Sequence, residues 1–168
     1  MSGTTLEKAA LTKAALALYD EGYSGPRSAK GTWFVDNESD CGFLGTVEKL
    51  SAEEASKPAG ERDSLSIASH AGHLRYALSL ANRAAKGENP YADANWPGSW
   101  TPREVSEAEW KTLVSSLRAE YAAFREAIEK GELWDNEDML TGTLGQICHG
   151  AWHLGAIRQA LGLVKAPK

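Results

Sequence analysis

The sequence predicts an all-α protein, a four-helix bundle with one long crossover connection. Three observations predict it: four stretches carry apolar residues at spacings of three and four, capping residues bracket them, and no alternating run is long enough for a strand. The chain has 168 residues, 42% of them hydrophobic and 24% charged, which suits one core. A single helical domain over residues 1–168 is the expectation.

The first helix should cover residues 5–21, with Leu6, Ala10, Ala14, Ala17 and Leu18 on its apolar side and Gly22 as its stop. Residues 24–42 mix Gly, Pro, Asn and Asp with a few large side chains and read as an ordered connection anchored by Trp33 and Phe34. A short helix is expected over 43–50. Ser51 and Glu54 have capping-box spacing for another brief turn, which Lys57-Pro58 ends. The second long helix should begin near Asp63 or Ser64 and end at Lys86-Gly87.

Residues 87–100 contain two prolines, two glycines and two tryptophans, the mark of a long crossover and not of a tight turn. Thr101 and Ser106 each precede a glutamate by three, so the third helix starts at one of them and runs to Lys130, with Gly131 as its stop. Its apolar stripe is Trp110, Leu113, Val114, Leu117, Tyr121, Phe124 and Ile128. The fourth helix should occupy 139–163.

Charge excludes some functions. The 18 basic and 23 acidic residues give a net charge of −5, and no basic stripe interrupts the acidic balance. Nucleic acid is therefore not an expected partner. Glu7, Lys8 and Lys13 break the apolar run a secretory leader needs. Between residues 139 and 164 the only charged side chain is Arg158, a length that could cross a membrane. Five glycines and the polar His149, His153, Gln146 and Gln159 argue instead for a helix buried in a soluble bundle. Two cysteines, Cys41 and Cys148, without a C-x-x-C pair, fit a reducing, cytoplasmic setting, with Cys148 as a small core residue.

The four histidines carry the chemical information. His70 and His73 fall on the second long helix, His149 and His153 on the fourth. An i,i+4 spacing puts His149 and His153 on one face, a turn apart, where two imidazoles can grip one ion. A single histidine on an apolar helix is ordinarily a hydrogen-bonded core residue. Two close pairs on two helices, one of them nearly uncharged, favour a shared metal site, because several buried imidazoles without a ligand are costly. On the helical wheel His70 runs with Ile67, Leu74, Ala77 and Ala81, and His73 with Ser66, Tyr76, Ala77 and Leu80. His70 is favoured as the third ligand, and His73 stands as its alternative or as an outer partner.

SIASHAGHLRYALSLANR followed far downstream by HGAWHLGAIRQALG resembles the DinB-like, or YfiT-like, metalloenzyme superfamily. The resemblance implies a four-helix bundle with one metal-binding histidine on the second helix and an H-x-x-x-H pair on the last, here His70, His149 and His153. It implies zinc, nickel or a similar divalent ion, and frequently a homodimer. Some relatives transfer bacillithiol or mycothiol, and one is a thiol-dependent maleylpyruvate isomerase. A low-molecular-weight thiol is thus implied as cosubstrate for a small-molecule electrophile.

Three neutral imidazoles with an open fourth position can bind a divalent cation that lowers the pKa of water or a thiol. The chain shows no G-x-S-x-G elbow, P-loop or G-x-G-x-x-G, which favours a metal-delivered nucleophile. Arg75 and Arg158, near the ligands, would meet an anionic thiol or stand solvated at a helix edge. Trp96, Trp100 and Trp152 would line a pocket mouth or anchor the core, with Trp152 turned about 100° from His153 toward a neighbouring helix. Two classes follow: a metal-dependent transferase or hydrolase, or a non-catalytic metal-binding or dimeric interaction protein.

Overall fold

The computed structural model describes residues 7–27, 31–60 and 65–165. Its helices are α1 (Lys8–Tyr23), α2 (Phe43–Val47), α3 (Ala52–Ser56), α4 (Ile67–Ala84), α5 (Glu107–Lys130) and α6 (Glu137–Lys165). Single 3-10 turns form at Pro97–Trp100 and Glu132–Trp134. Among the described residues there is no strand, only an isolated bridge between Pro58 and Ser66. Each of α1 and α4 packs against both α5 and α6, so the four long helices enclose the core expected of an all-α bundle.

Capping sets most of the boundaries. Ser51 and Ser106 each accept from the backbone amide of a glutamate three residues on, and Glu54 and Glu109 reach back to the cap amide. α5 therefore starts after Ser106, not at Thr101, and it ends at Gly131, whose φ of 73° supplies the left-handed turn. Ser66 caps α4 by accepting from Ser69 N–H at 3.2 Å. The expected start at Asp63 or Ser64 lies outside the described residues. Asn136 Oδ1 accepts from Asp138 N–H at 2.8 Å and opens α6 two residues earlier than expected.

The stripe on α1 differs from the expected one. Ala10, Ala14 and Ala17 face solvent, and Ala15, Leu16, Tyr19 and Tyr23 are buried, the helix continuing through Gly22. Leu6 and Thr5 lie outside the described residues. Alanine contributes little apolar area on either side of a helix, so the two tyrosines and Leu16 decide the rotation. Tyr23 lies against α6 at Gly150, where an added Cβ would stand 2.5 Å from its ring.

Trp33 and Phe34 do not anchor the first connection, since they are 79% and 36% exposed. The buried Glu21 does, its Oε1 accepting backbone N–H groups from Trp33 at 2.6 Å, from Phe34, and from Val35 at 3.2 Å. Three converging amides hold a carboxylate in place without help from the neighbouring side chains. Beyond it, α2 buries Phe43, Leu44 and Val47, and Leu50 O accepts from Trp110 Nε1 at 3.0 Å.

α6 is not buried all round. Leu144 is 45% and Trp152 59% exposed, and Cys148, on the same side, faces solvent and not the core. Glycine and cysteine left that face uncharged without making it interior. No helix among the described residues is long and apolar enough to cross a membrane.

The crossover is fastened to α4. Ser66 Oγ donates to Arg103 O at 2.6 Å, Ser69 Oγ to Pro102 O at 3.4 Å, and Asn95 N–H to Tyr76 Oη at 2.9 Å. The Thr101-Pro102 peptide is cis. Gly72 lets this strand of backbone descend on the helix, because a Cβ there would meet Thr101 O at 3.0 Å.

Candidate metal centre

Where α4 and α6 face one another, all four histidines come together. His70, His73 and His153 are buried and His149 is half-buried. His153 is the hub: its Nδ1 lies 3.0 Å from His70 Nδ1 and its Nε2 2.9 Å from His149 Nε2. His73 Nδ1 lies 2.6 Å from Ser99 Oγ. One nitrogen from each of His73, His149 and His153 falls within 4.8 Å of the others, a spacing that can hold one cation. His70 is outside that group of three. It touches the Nδ1 edge of His153, whereas His149 touches the Nε2 edge, and the two edges of an imidazole point to opposite sides of the ring.

Burial pushes all four imidazoles below the usual histidine range. His73 is pushed down to about 4 by burial first and then by His149 and His70. His153, with three imidazole neighbours added to its burial, goes lower still. At neutral pH the rings are therefore uncharged and offer lone pairs, the form a metal needs.

The donor set fits a divalent ion of intermediate softness. It holds imidazole only, with no carboxylate or thiolate in the group. Three ligands leave a fourth position open, as in catalytic and not structural sites. Trp100 covers one side, stacked on His73 with ring centroids 3.9 Å apart and planes at 14°. Trp96, 38% exposed, stands 5.9 Å from His73. Trp152 reaches the neighbouring α4 at His70, 6.0 Å away, and also flanks His153 at 4.8 Å, so it stands beside the cluster. Half-buried His149 and the two exposed indoles mark the approach from solvent.

The sequence profile of the DinB superfamily matches residues 42–156, well over half of the chain and inclusive of all four histidines. The chain belongs to the DinB superfamily. Neither the curated proteins nor the solved structures include a match to it. In this DinB-superfamily chain both arginines near the histidines have other surroundings than the open position: Arg158 donates to Cys41 O at 2.9 Å, and Arg75 borders a groove with Pro102, Val105 and Leu113. Ser99 is the site residue the sequence did not single out. Its only signal is position in the Trp-rich crossover, 26 residues from the imidazole it touches.

Proposed function

We propose that this DinB-superfamily protein is a divalent-metal enzyme in which His73, His149 and His153 hold zinc or nickel. The observation that carries the reading is the convergence of three neutral imidazoles within 4.8 Å. When bound, the ion supplies Lewis acidity that lowers the pKa of a coordinated water or thiol to near neutrality.

The chain's own residues do the rest. With its Nε2 given over to ligation, His153 keeps its single proton on Nδ1 and donates it to His70 Nδ1, which orients the ring. Trp100 shields the His73 face from water and so keeps the local dielectric low. Uncharged ligands leave the site positive, which favours an anionic fourth partner such as a thiolate. Trp96 and Trp152 offer apolar surface to a small organic electrophile. We assign the reaction as transfer of a low-molecular-weight thiol to such an electrophile. The free, unpaired Cys41 and Cys148 support a reducing, cytoplasmic setting for it.

The test is elemental analysis of untagged protein purified without chelator, followed by thiol-transfer assays on the loaded form. About one divalent ion per chain and metal-dependent thiol consumption are expected. Protein that takes up neither zinc nor nickel at micromolar concentration would overturn the metal reading. Loaded protein inert toward every thiol and electrophile pair would leave it a metal-holding protein without catalysis.

A further inference from the structure

Ser99 sits in the 3-10 turn of the crossover, 6% exposed, with its Oγ between two partners. Trp96 O lies 2.6 Å away and His73 Nδ1 also 2.6 Å. A hydroxyl has one hydrogen and a carbonyl oxygen can only accept, so the hydrogen goes to Trp96 O. Ser99 Oγ must then accept from His73, which puts the imidazole's proton on Nδ1. A neutral imidazole carries one proton, so His73 Nε2 is left with a bare lone pair.

We propose that Ser99 is a positioning residue that locks His73 in the single tautomer able to ligate through Nε2. The inference rests on the metal site proposed above. His73 differs from the other histidines in the metal-free chain: His153 hydrogen-bonds to His70 and to His149, and that relay can run in either direction until ligation takes up the His153 Nε2. Only His73 is tied to a group whose polarity is fixed. The lock depends on how the crossover is held. Asn95 Oδ1 accepts from Gly98 N–H at 3.0 Å, Gly72 admits the backbone at Thr101, and Trp100 fixes the plane of the His73 ring. Outer partners of ligating histidines set ring orientation and basicity in this way.

The experiment uses the full chain, cobalt(II) alone as the probe, and two variants, Ser99→Ala and Ser99→Thr. Ring nitrogen shifts of His73 in the metal-free wild type should report the Nδ1–H tautomer, and Ser99→Ala should shift toward a mixture. Cobalt affinity should fall about 10- to 100-fold in Ser99→Ala and return to within a few-fold of wild type in Ser99→Thr. An unchanged tautomer and affinity in Ser99→Ala overturn the proposal and leave the metal site standing. Wild-type protein that binds no cobalt, or a His73→Ala variant that binds it as tightly as wild type, overturns the site itself. Should Ser99→Ala lose its helical circular dichroism, the wild-type tautomer still decides: an Nε2–H His73 refutes the lock.

Discussion

Two buried polar clusters divide this bundle, and they are built on opposite principles. Between α1 and α5, Asp20 is 3% exposed and accepts from Tyr121 Oη–H at 2.6 Å and Arg125 Nε at 3.0 Å, with Arg27 as a further ion-pair partner. Ser24 Oγ and Tyr121 Oη, 2.7 Å apart, extend the network. Opposite charges and donors close it, as burial of a carboxylate demands. Between α4 and α6, four imidazoles gather, and among the described residues their hydrogen-bond partners are each other and Ser99, with no carboxylate. The first cluster is completed by folding; the second retains imidazole lone pairs that can accept a divalent cation.

The largest effect should come from removing a ligand. His149→Ala is expected to abolish stoichiometric zinc or nickel uptake while leaving helical circular dichroism intact, since His149 is half-buried and outside the apolar core. Metal content equal to wild type in this variant would break the contrast between the two clusters. Asp20→Ala should do the reverse. It strips the buried carboxylate from Tyr121 and Arg125, the latter keeping Glu129, and is expected to cost about 3 kcal/mol in urea denaturation, with metal per chain unchanged. Lost metal binding in Asp20→Ala would mean that the clusters are coupled through the core.

These two outcomes show why the sequence was uneven as a guide. The caps at Ser51, Ser106 and Gly131 were legible because capping is local chemistry, read within three residues. The buried stripe of α5 was legible because large side chains repeat on one face. The i,i+4 pair of His149 and His153 was legible for the same reason of local geometry. Asp20 was not, because its partner Tyr121 stands 101 residues away. Neither was Ser99, nor the buried face of the alanine-rich α1, where a stripe of small residues carries too little area to fix a rotation. The choice between His70 and His73 depends on how α4 is turned toward α6, and no pattern within one helix contains that angle.

A pH profile sharpens the contrast further. The imidazoles are held below the ordinary value of 6.5, with His73 at about 4, so in that window the unfolded chain binds more protons than the folded one. Stability of the metal-free protein should therefore be at its full value above 6.5 and fall as pH drops toward 4. Urea midpoints measured between neutrality and about pH 5, above the ordinary carboxylate range, isolate this contribution. A flat profile there would show that the histidines are solvated in the folded chain. Bound zinc should make the fall steeper, because protons displace the ion from imidazole.

The smallest effect expected is also the most discriminating for the site's anatomy. His70 meets His153 at Nδ1, on the edge away from His149, so with the ligand set proposed above it would act on an ion through its neighbour. His70→Ala is expected to weaken zinc binding about tenfold, the lower range for loss of an outer partner, whereas His73→Ala should remove binding. Competition with a chromophoric chelator measures both. The reverse ranking, with His70→Ala empty and His73→Ala merely weakened, would make His70 the third ligand, as the sequence pattern favours, and require α4 to turn on loading so that His70 leaves the Nδ1 edge of His153. Equal losses in the two variants would point to four imidazoles sharing one ion, a closed site with no position left for a thiol.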